Sequence, residues 1–432
     1  MNDVTVTCPN CSSPLAPEDA FCEECGFQVA PASVATRPET AGLGAVGRLQ
    51  VQAGEEIGGV DADSVQFDAA ARPSGPPRRP GVRVLDVDVE TIAATCASCS
   101  GLIASDGYCE QCGTPAPRPR DHWVEQPASW VALACDRGVR HSINQDGAAA
   151  GAGAEPGSFA AMVVCDGVSS AARSELASLA AARAARDVLT APREANGSGV
   201  PAGPGAQPPA VRSSFGQTTG SGAGRAPDTL PFLPLPGIEL PVGSSAVQSQ
   251  ASLLAAAMRE AGAAAQERAA AAASDPPEYN PPACTFAAAV VDGGVLVAGW
   301  VGDSRVYWLP DDGTPLQLSE DDSLAGEAIR HGLPREDAER SPHAHSITRW
   351  LGFDAPDPQP RTSVRRIDTP AWVLVCTDGL WNYCSEATAV RDLVRHVVSL
   401  HGPDVVRVSE GLVTWAIEQG GHDNISVVLA RV

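Results

Sequence analysis

Three short apolar runs in this chain end on an aspartate beside a glycine, and that recurrence constrains the fold more than any other feature. Val163-Val164-Cys165 runs into Asp166-Gly167, Val373-Leu374-Val375-Cys376-Thr377 into Asp378-Gly379, and Val297-Ala298-Gly299-Trp300-Val301 into Gly302-Asp303. A buried strand that ends this way holds a carboxylate at a sheet edge, where a divalent cation can reach it. A single Asp-Gly reads only as a turn. With Asn144-Gln145-Asp146 upstream and His422-Asp423-Asn424 near the end, the series reads instead as a set of hard oxygen ligands carried on strand ends and turns.

In order, these segments resemble the metal-dependent serine/threonine protein phosphatases of the PPM (type 2C) family over residues 127–432. The resemblance runs through Asp136-Arg137-Gly138-Val139-Arg140 to Asn144-Gln145-Asp146, then Asp166-Gly167, Cys284-Thr285 and Gly302-Asp303-Ser304-Arg305. It continues in Ile347-Thr348-Arg349-Trp350-Leu351-Gly352, Thr377-Asp378-Gly379-Leu380-Trp381 and Gly421-His422-Asp423-Asn424-Ile425-Ser426. The fold it implies is α+β, a β-sandwich with helices on both outer faces. It also implies two Mn2+ or Mg2+ ions: Asp166 bridges them, Gly167 ligates through its carbonyl oxygen, and Asp378 and Asp423 complete the pair. Asp146 matches an acidic position that acts through water, and Asp303 the position of a third, weaker cation. The family's phosphate-binding arginine lies three residues before the Asn of the Asn-acid pair, which is His141 here, with Arg140 as its neighbour. A guanidinium makes two-pronged contacts with phosphate, so Arg140 and His141 are both candidates.

Besides His141, the chain departs from the family pattern in two places. Val168-Ser169-Ser170 stands where a small residue and a glycine pair usually follow the first Asp-Gly, and Asp322 stands where a His is common. Residues 320–346 match a mobile flap beside the family's active site, and His331, His343 and His345 fall within it.

Of the 13 cysteines, Cys8, Cys11, Cys22 and Cys25 form one C-x2-C pair of pairs, and Cys96, Cys99, Cys109 and Cys112 a second. Two such knuckles close a tetrahedron of thiolates, the geometry of structural zinc, with no position left for substrate. They resemble small zinc ribbons, each too small to fold without its metal. Their only charged side chains are acidic, which favours docking to protein.

All 30 basic residues are Arg, which excludes mechanisms that need a P-loop or kinase lysine. A net charge of −22 argues against nucleic acid and against anionic membranes. The absence of a long apolar run or an apolar leader predicts a cytoplasmic chain with reduced thiols and no membrane insertion.

The expected organisation is a zinc ribbon at 1–30, a flexible linker at 31–90, a second ribbon at 91–115, a Pro-rich linker at 116–126 and the phosphatase-like domain at 127–432. A Gly/Pro/Ser tract at 191–245 reads as a disordered insertion between two helices, the second predicted over Ser252 to Ala273. A chain starting near Gln126 is expected to fold and act alone. The expected function is metal-dependent hydrolysis of phosphoserine and phosphothreonine in proteins, the products of a serine/threonine kinase, by a monomer. The alternative is a pseudophosphatase or scaffold that binds phosphoproteins without turnover.

Overall fold

The structure, a computed structural model, describes residues 77–192, 245–277 and 279–432, together with the backbone of Val6–Thr7 and Pro14–Leu15. The chain divides into two units: Met1–Gly75 with Arg340–Pro342, and Pro76–Glu339 with His343–Val432. In the first, β1 (Val6–Thr7) pairs antiparallel with β2 (Pro14–Leu15). Cys8, Cys11, Cys22 and Cys25 lie outside the described residues, as does the tract 193–244.

The second unit is built from β3 (Val82–Val84), β4 (His122–Ala128), β5 (Val131–Asp136), β6 (Gly147–Gly153), β7 (Phe159–Cys165), β8 (Ala283–Cys284), β9 (Phe286–Asp292), β10 (Val295–Val301), β11 (Arg305–Pro310), β12 (Leu316–Gln317), β13 (Leu351–Gly352), β14 (Arg361–Arg366), β15 (Ala371–Cys376) and β16 (Ile425–Arg431). Its helices are α1 (Ser174–Thr190), α2 (Ser245–Ala271), α3 (Leu324–Arg330), α4 (Arg335–Glu339), α5 (Asp378–Trp381), α6 (Ala387–His401) and α7 (Val405–Glu418). Two 6-stranded sheets, in the orders β14-β10-β9-β7-β6-β3 and β12-β11-β15-β16-β5-β4, pack face to face. Helices α1 and α2 cover the first sheet, and α6 and α7 the second.

The strand sequences dictate this layering. Successive side chains point to opposite faces of a strand, and here both faces are buried. In β7, Ala160, Met162 and Val164 enter the core between the sheets, while Ala161, Val163 and Cys165 face α1 and α2. In β15, Val373 and Val375 point inward, and Leu374 and Cys376 pack under α6 and α7. A continuous apolar run is therefore required there, and in β7, β10 and β15 polar residues first appear where the strand ends.

Two expected boundaries are corrected. Residues 77–90, assigned from sequence to a flexible linker, contain β3, which pairs with β6 as an edge strand, and Val89, which is buried in the central core. Arg79 anchors this segment through an ion pair with Asp292 at 2.6 Å, and Arg186 through one with Asp86 at 2.7 Å. The stretch assigned to a Pro-rich linker at 116–126 likewise contains a short 3-10 turn, Pro119–Asp121, and the start of β4. Prolines are tolerated there because they flank the strand and do not interrupt its ladder. Helix α2 begins at Ser245, ahead of the expected Ser252. No described helix is long and apolar enough to cross a membrane.

Glu125 on β4 is 3% exposed, and burial pushes its carboxyl up to about 7. One oxygen accepts the Val87 N–H at 3.2 Å, while the other has no hydrogen-bond partner among the described residues. Because the folded state prefers the protonated form, Glu125 costs nothing below its unfolded pKa and destabilises progressively as pH rises to about 7. Glu125→Gln is thus expected to raise stability above pH 7 by on the order of 3 kcal/mol and to leave it unchanged near pH 4. Urea unfolding at the two pH values checks this.

Candidate functional site

Local sequence delivers each carboxylate of the site. At the end of β7 the Asp166 N–H donates to Thr285 Oγ1 at 2.9 Å, and the Thr285 N–H donates to the Asp166 carbonyl at 2.8 Å. Gly167 follows because a Cβ there would meet the Gln145 carbonyl oxygen at 2.4 Å. The bridge between Gly167 and Cys284 uses the Val168 N–H and the Asp166 carbonyl, so the Gly167 carbonyl is not consumed by it. After β15, Asp378 opens the single turn α5. A Cβ on Gly379 would stand 2.0 Å from the Asn424 carbonyl oxygen, so only glycine lets this turn close on the loop that carries Asp423. Asn424 holds that loop in place, accepting from the Gln145 N–H at 2.7 Å and donating to the Arg137 carbonyl at 2.7 Å.

Asp303, 4% exposed, follows Gly302 at the end of β10. Asp322 supports this turn from outside the cluster: its carboxylate accepts the Gly302 N–H at 3.2 Å and pairs with Arg349 at 2.9 Å and Arg361 at 3.0 Å. The residue that replaces the family's common His therefore positions the Asp303 turn.

Asp166, Gly167, Asp303, Asp378 and Asp423, with Thr285, His345 and Ile347, line one cavity of about 200 Å³. His345 and Asp423 also line a second, of about 250 Å³, with Glu339, Trp381, Asn382, Tyr383 and His422. Asp146 is fully buried; its Oδ2 accepts from Thr377 Oγ1 at 2.9 Å and Ser426 Oγ at 2.8 Å. His141 Nε2 lies 3.3 Å from Asp423 Oδ1, whereas Arg140 is exposed, close enough to His422 to depress its pKa after the larger effect of burial.

Burial first, and the neighbouring carboxylates second, push Asp166 and Asp378 well above the usual carboxylate range. Burial likewise pushes Asp146 and Asp303 to about 7. Like charges this close resist ionising together without a cation among them. The buried Oδ1 atoms of Asp146 and Asp378 moreover accept no hydrogen bond among the described residues. An unmet buried acceptor costs ~1–3 kcal/mol, which a bound cation would remove. The donor set is thus one that fits hard divalent cations.

Two contributors were not singled out from the sequence. Arg120, 6% exposed, comes from the stretch read as linker and braces the Asp146 loop from behind. Its Nε donates to the Asn144 carbonyl at 2.7 Å, and its Nη2 to the carbonyls of Asp146 at 2.8 Å and Glu175 at 2.6 Å. Its Nη1 donates to Glu90 at 2.6 Å. His345 reaches the carboxylate cluster from the flap, and Ser323, the N-cap of α3, forms a bridge with Ile347 two residues on.

The second cysteine set forms a separate cluster. Cys96 Sγ lies 3.7 Å from Cys112 Sγ, and Cys99 Sγ lies 3.4 Å from both Cys109 and Cys112. Each C-x2-C closes the same way: Ser100 N–H donates to the Cys96 carbonyl and Gly113 N–H to the Cys109 carbonyl, with Ser100 at φ 61° and Gly113 at φ 69°. Tetrahedral thiolates about one zinc ion stand roughly 3.8 Å apart, close to these separations. The cluster is a loop between β3 and β4, closed at its base by the Glu90–Arg120 ion pair.

Residues 138–415 match the family model described as Protein phosphatase 2C. The serine/threonine protein phosphatase PstP of Mycobacterium tuberculosis is 30% identical over 150 residues, 34% of this chain and 27% of PstP. The chain thus spans about a quarter of the length of the curated relatives it matches. Among solved structures, the M. tuberculosis phosphatase PstP/Ppp aligns at 20% identity and a TM-score of 0.46, covering 72% of this chain and 98% of that one. The S. agalactiae serine/threonine phosphatase aligns at 20% identity and a TM-score of 0.48, covering 72% and 100%.

Proposed function

The chain belongs to the protein phosphatase 2C family, and from that premise we propose that it hydrolyses phosphoserine and phosphothreonine in proteins. The observation that carries this reading is the crowded carboxylate cluster, in which burial and like charge hold Asp166 and Asp378 well above their usual range and buried oxygens of Asp146 and Asp378 accept no hydrogen bond among the described residues. In this reading Asp166, the Gly167 carbonyl, Asp378 and Asp423 hold two Mn2+ or Mg2+ ions, and Asp303 helps to hold a further one. Asp146 accepts from the Thr377 and Ser426 hydroxyls and acts behind the pair. Bound there, the cations acidify the attacking water and screen the phosphate.

The chain's own residues do the rest. Arg120 fixes the Asp146 loop, so the ligands are held in place before any cation arrives. Of the two phosphate-binding candidates, His141 stands at the carboxylates and Arg140 at the rim near His422. We assign His141 to the phosphoryl group and Arg140 to the incoming phosphoprotein. His141→Ala is accordingly expected to raise KM for a small aryl phosphate roughly tenfold, and Arg140→Ala to leave it within about twofold. Steady-state kinetics on both variants check the assignment.

The cysteine cluster at Cys96, Cys99, Cys109 and Cys112 is assigned one structural zinc ion. The same role is proposed for Cys8, Cys11, Cys22 and Cys25, with the ribbons docking protein partners. The function is tested by comparing phosphothreonine, phosphoserine and phosphotyrosine peptides in Mn2+. Rapid release from the first two and little from the third is expected; equal release from all three contradicts the serine/threonine reading.

A further inference from the structure

Beyond the carboxylates, the flap brings a nitrogen ligand to this site. His345 places a ring nitrogen within 4.8 Å of carboxylate oxygens of both Asp303 and Asp378, which lie equally close to each other. These atoms come from three separate elements: the turn after β10, the start of α5, and the flap.

The flap holds His345 in place by backbone bonds made by the residues that follow it. Leu324 N–H donates to the Ser346 carbonyl at 3.0 Å, and Thr348 N–H to the Asp322 carbonyl at 2.7 Å. The preceding Ala344 is buried in the flap's own small core against Ala325 and Ala338. The imidazole rests near the Trp381 ring, with centroids 5.7 Å apart at an interplanar angle of 31°. Trp381 in turn carries the buried Arg305 guanidinium 3.6 Å from its ring centroid, and Arg305 pairs with Glu339 at the end of α4 at 3.0 Å. The ring is therefore fixed by the same contacts that seat the flap, and of the two Asp378 oxygens Oδ2 accepts from Asn382 Nδ2 at 3.1 Å while Oδ1 has no hydrogen-bond partner among the described residues.

We propose that His345 is a metal ligand: with Asp303 and Asp378 it forms a mixed nitrogen and oxygen site for a further divalent cation, which pins the flap to the catalytic centre. This rests on the metal reading above for Asp303 and Asp378 and adds the imidazole to it. Imidazole suits first-row transition metals, whereas Mg2+ prefers oxygen alone. The site accordingly selects Mn2+ over Mg2+, and its filling orders the flap.

The test is Mn2+ titration of the full chain, followed by pulsed electron paramagnetic resonance. Wild type should bind a tight class and a weaker class of Mn2+, with a nitrogen coupling that grows as the weaker class fills. His345→Phe keeps a ring against Trp381 and removes both nitrogens. It should abolish that coupling and weaken the second class at least tenfold, with the tight class unchanged as evidence of folding. His345→Ala should behave alike. A nitrogen coupling that survives both substitutions, or one that vanishes only in His141→Phe, overturns the proposal while leaving the two-cation reading intact. Loss of the tight class from wild type itself would overturn both.

Discussion

Asp166→Asn and Asp378→Asn are each expected to lower turnover of a phosphothreonine peptide in Mn2+ by roughly 1,000-fold while leaving the chain folded. Each removes a charged ligand from a site built to hold cations. The same substitutions should make the metal-free protein more stable, because the folded state holds both carboxyls well above their ordinary range. An acid with a raised folded pKa favours folding least once pH exceeds its unfolded value, so the gain should be present at pH 7.5 and vanish near pH 3. Thermal melts in chelator at the two pH values, beside turnover in Mn2+, separate this account from simple unfolding. A variant that loses activity and also melts earlier at pH 7.5 without metal would contradict it.

A chain that begins at Gln126 is expected to be insoluble or inactive, while one that begins at Pro77 keeps the turnover of the whole protein on a small aryl phosphate. This reverses what the sequence suggested. The shorter chain lacks β3, half of β4, Val89 and Arg120, which removes an edge strand, part of the core and the brace behind Asp146. Arg120→Ala isolates the last of these. It strands the carbonyls of Asn144, Asp146 and Glu175 and should cost roughly 3 kcal/mol, since breaking a buried charged network leaves its partners unmet. Turnover should fall more than the folded fraction does, because the Asp146 loop loses its support. Denaturant unfolding and turnover on the same samples measure the two effects apart.

What was legible in the sequence was local. Strands β7, β10 and β15 are continuous apolar runs, and their carboxylates stand where each run stops, so both the strands and the residues worth testing could be read directly. What escaped depended on contacts between distant segments. Arg120 sits among prolines that read as linker, yet it bonds to the loop at 144–146 and to α1. His345 reads as one flap histidine among several, and only the seating of the flap on Trp381 sets it apart. Strand β3, Val82–Val84, lies in the run Val82–Val87 that reads as a possible strand leading into the second ribbon, but nothing local shows that it pairs with β6 at a sheet edge. Asp322 reads as a missing His, and its partners Arg349 and Arg361 show it to be a support for the Asp303 turn.

The central claim is that this site turns over a phosphorylated side chain and does not merely hold it. The most direct measurement is a single turnover with protein in excess over a phosphothreonine peptide, quenched at intervals, with Mn2+ and with chelator. The account predicts complete conversion to free phosphate and dephosphorylated peptide in Mn2+, and intact peptide in chelator. Peptide that stays bound and phosphorylated in Mn2+ would contradict it and favour the scaffold reading.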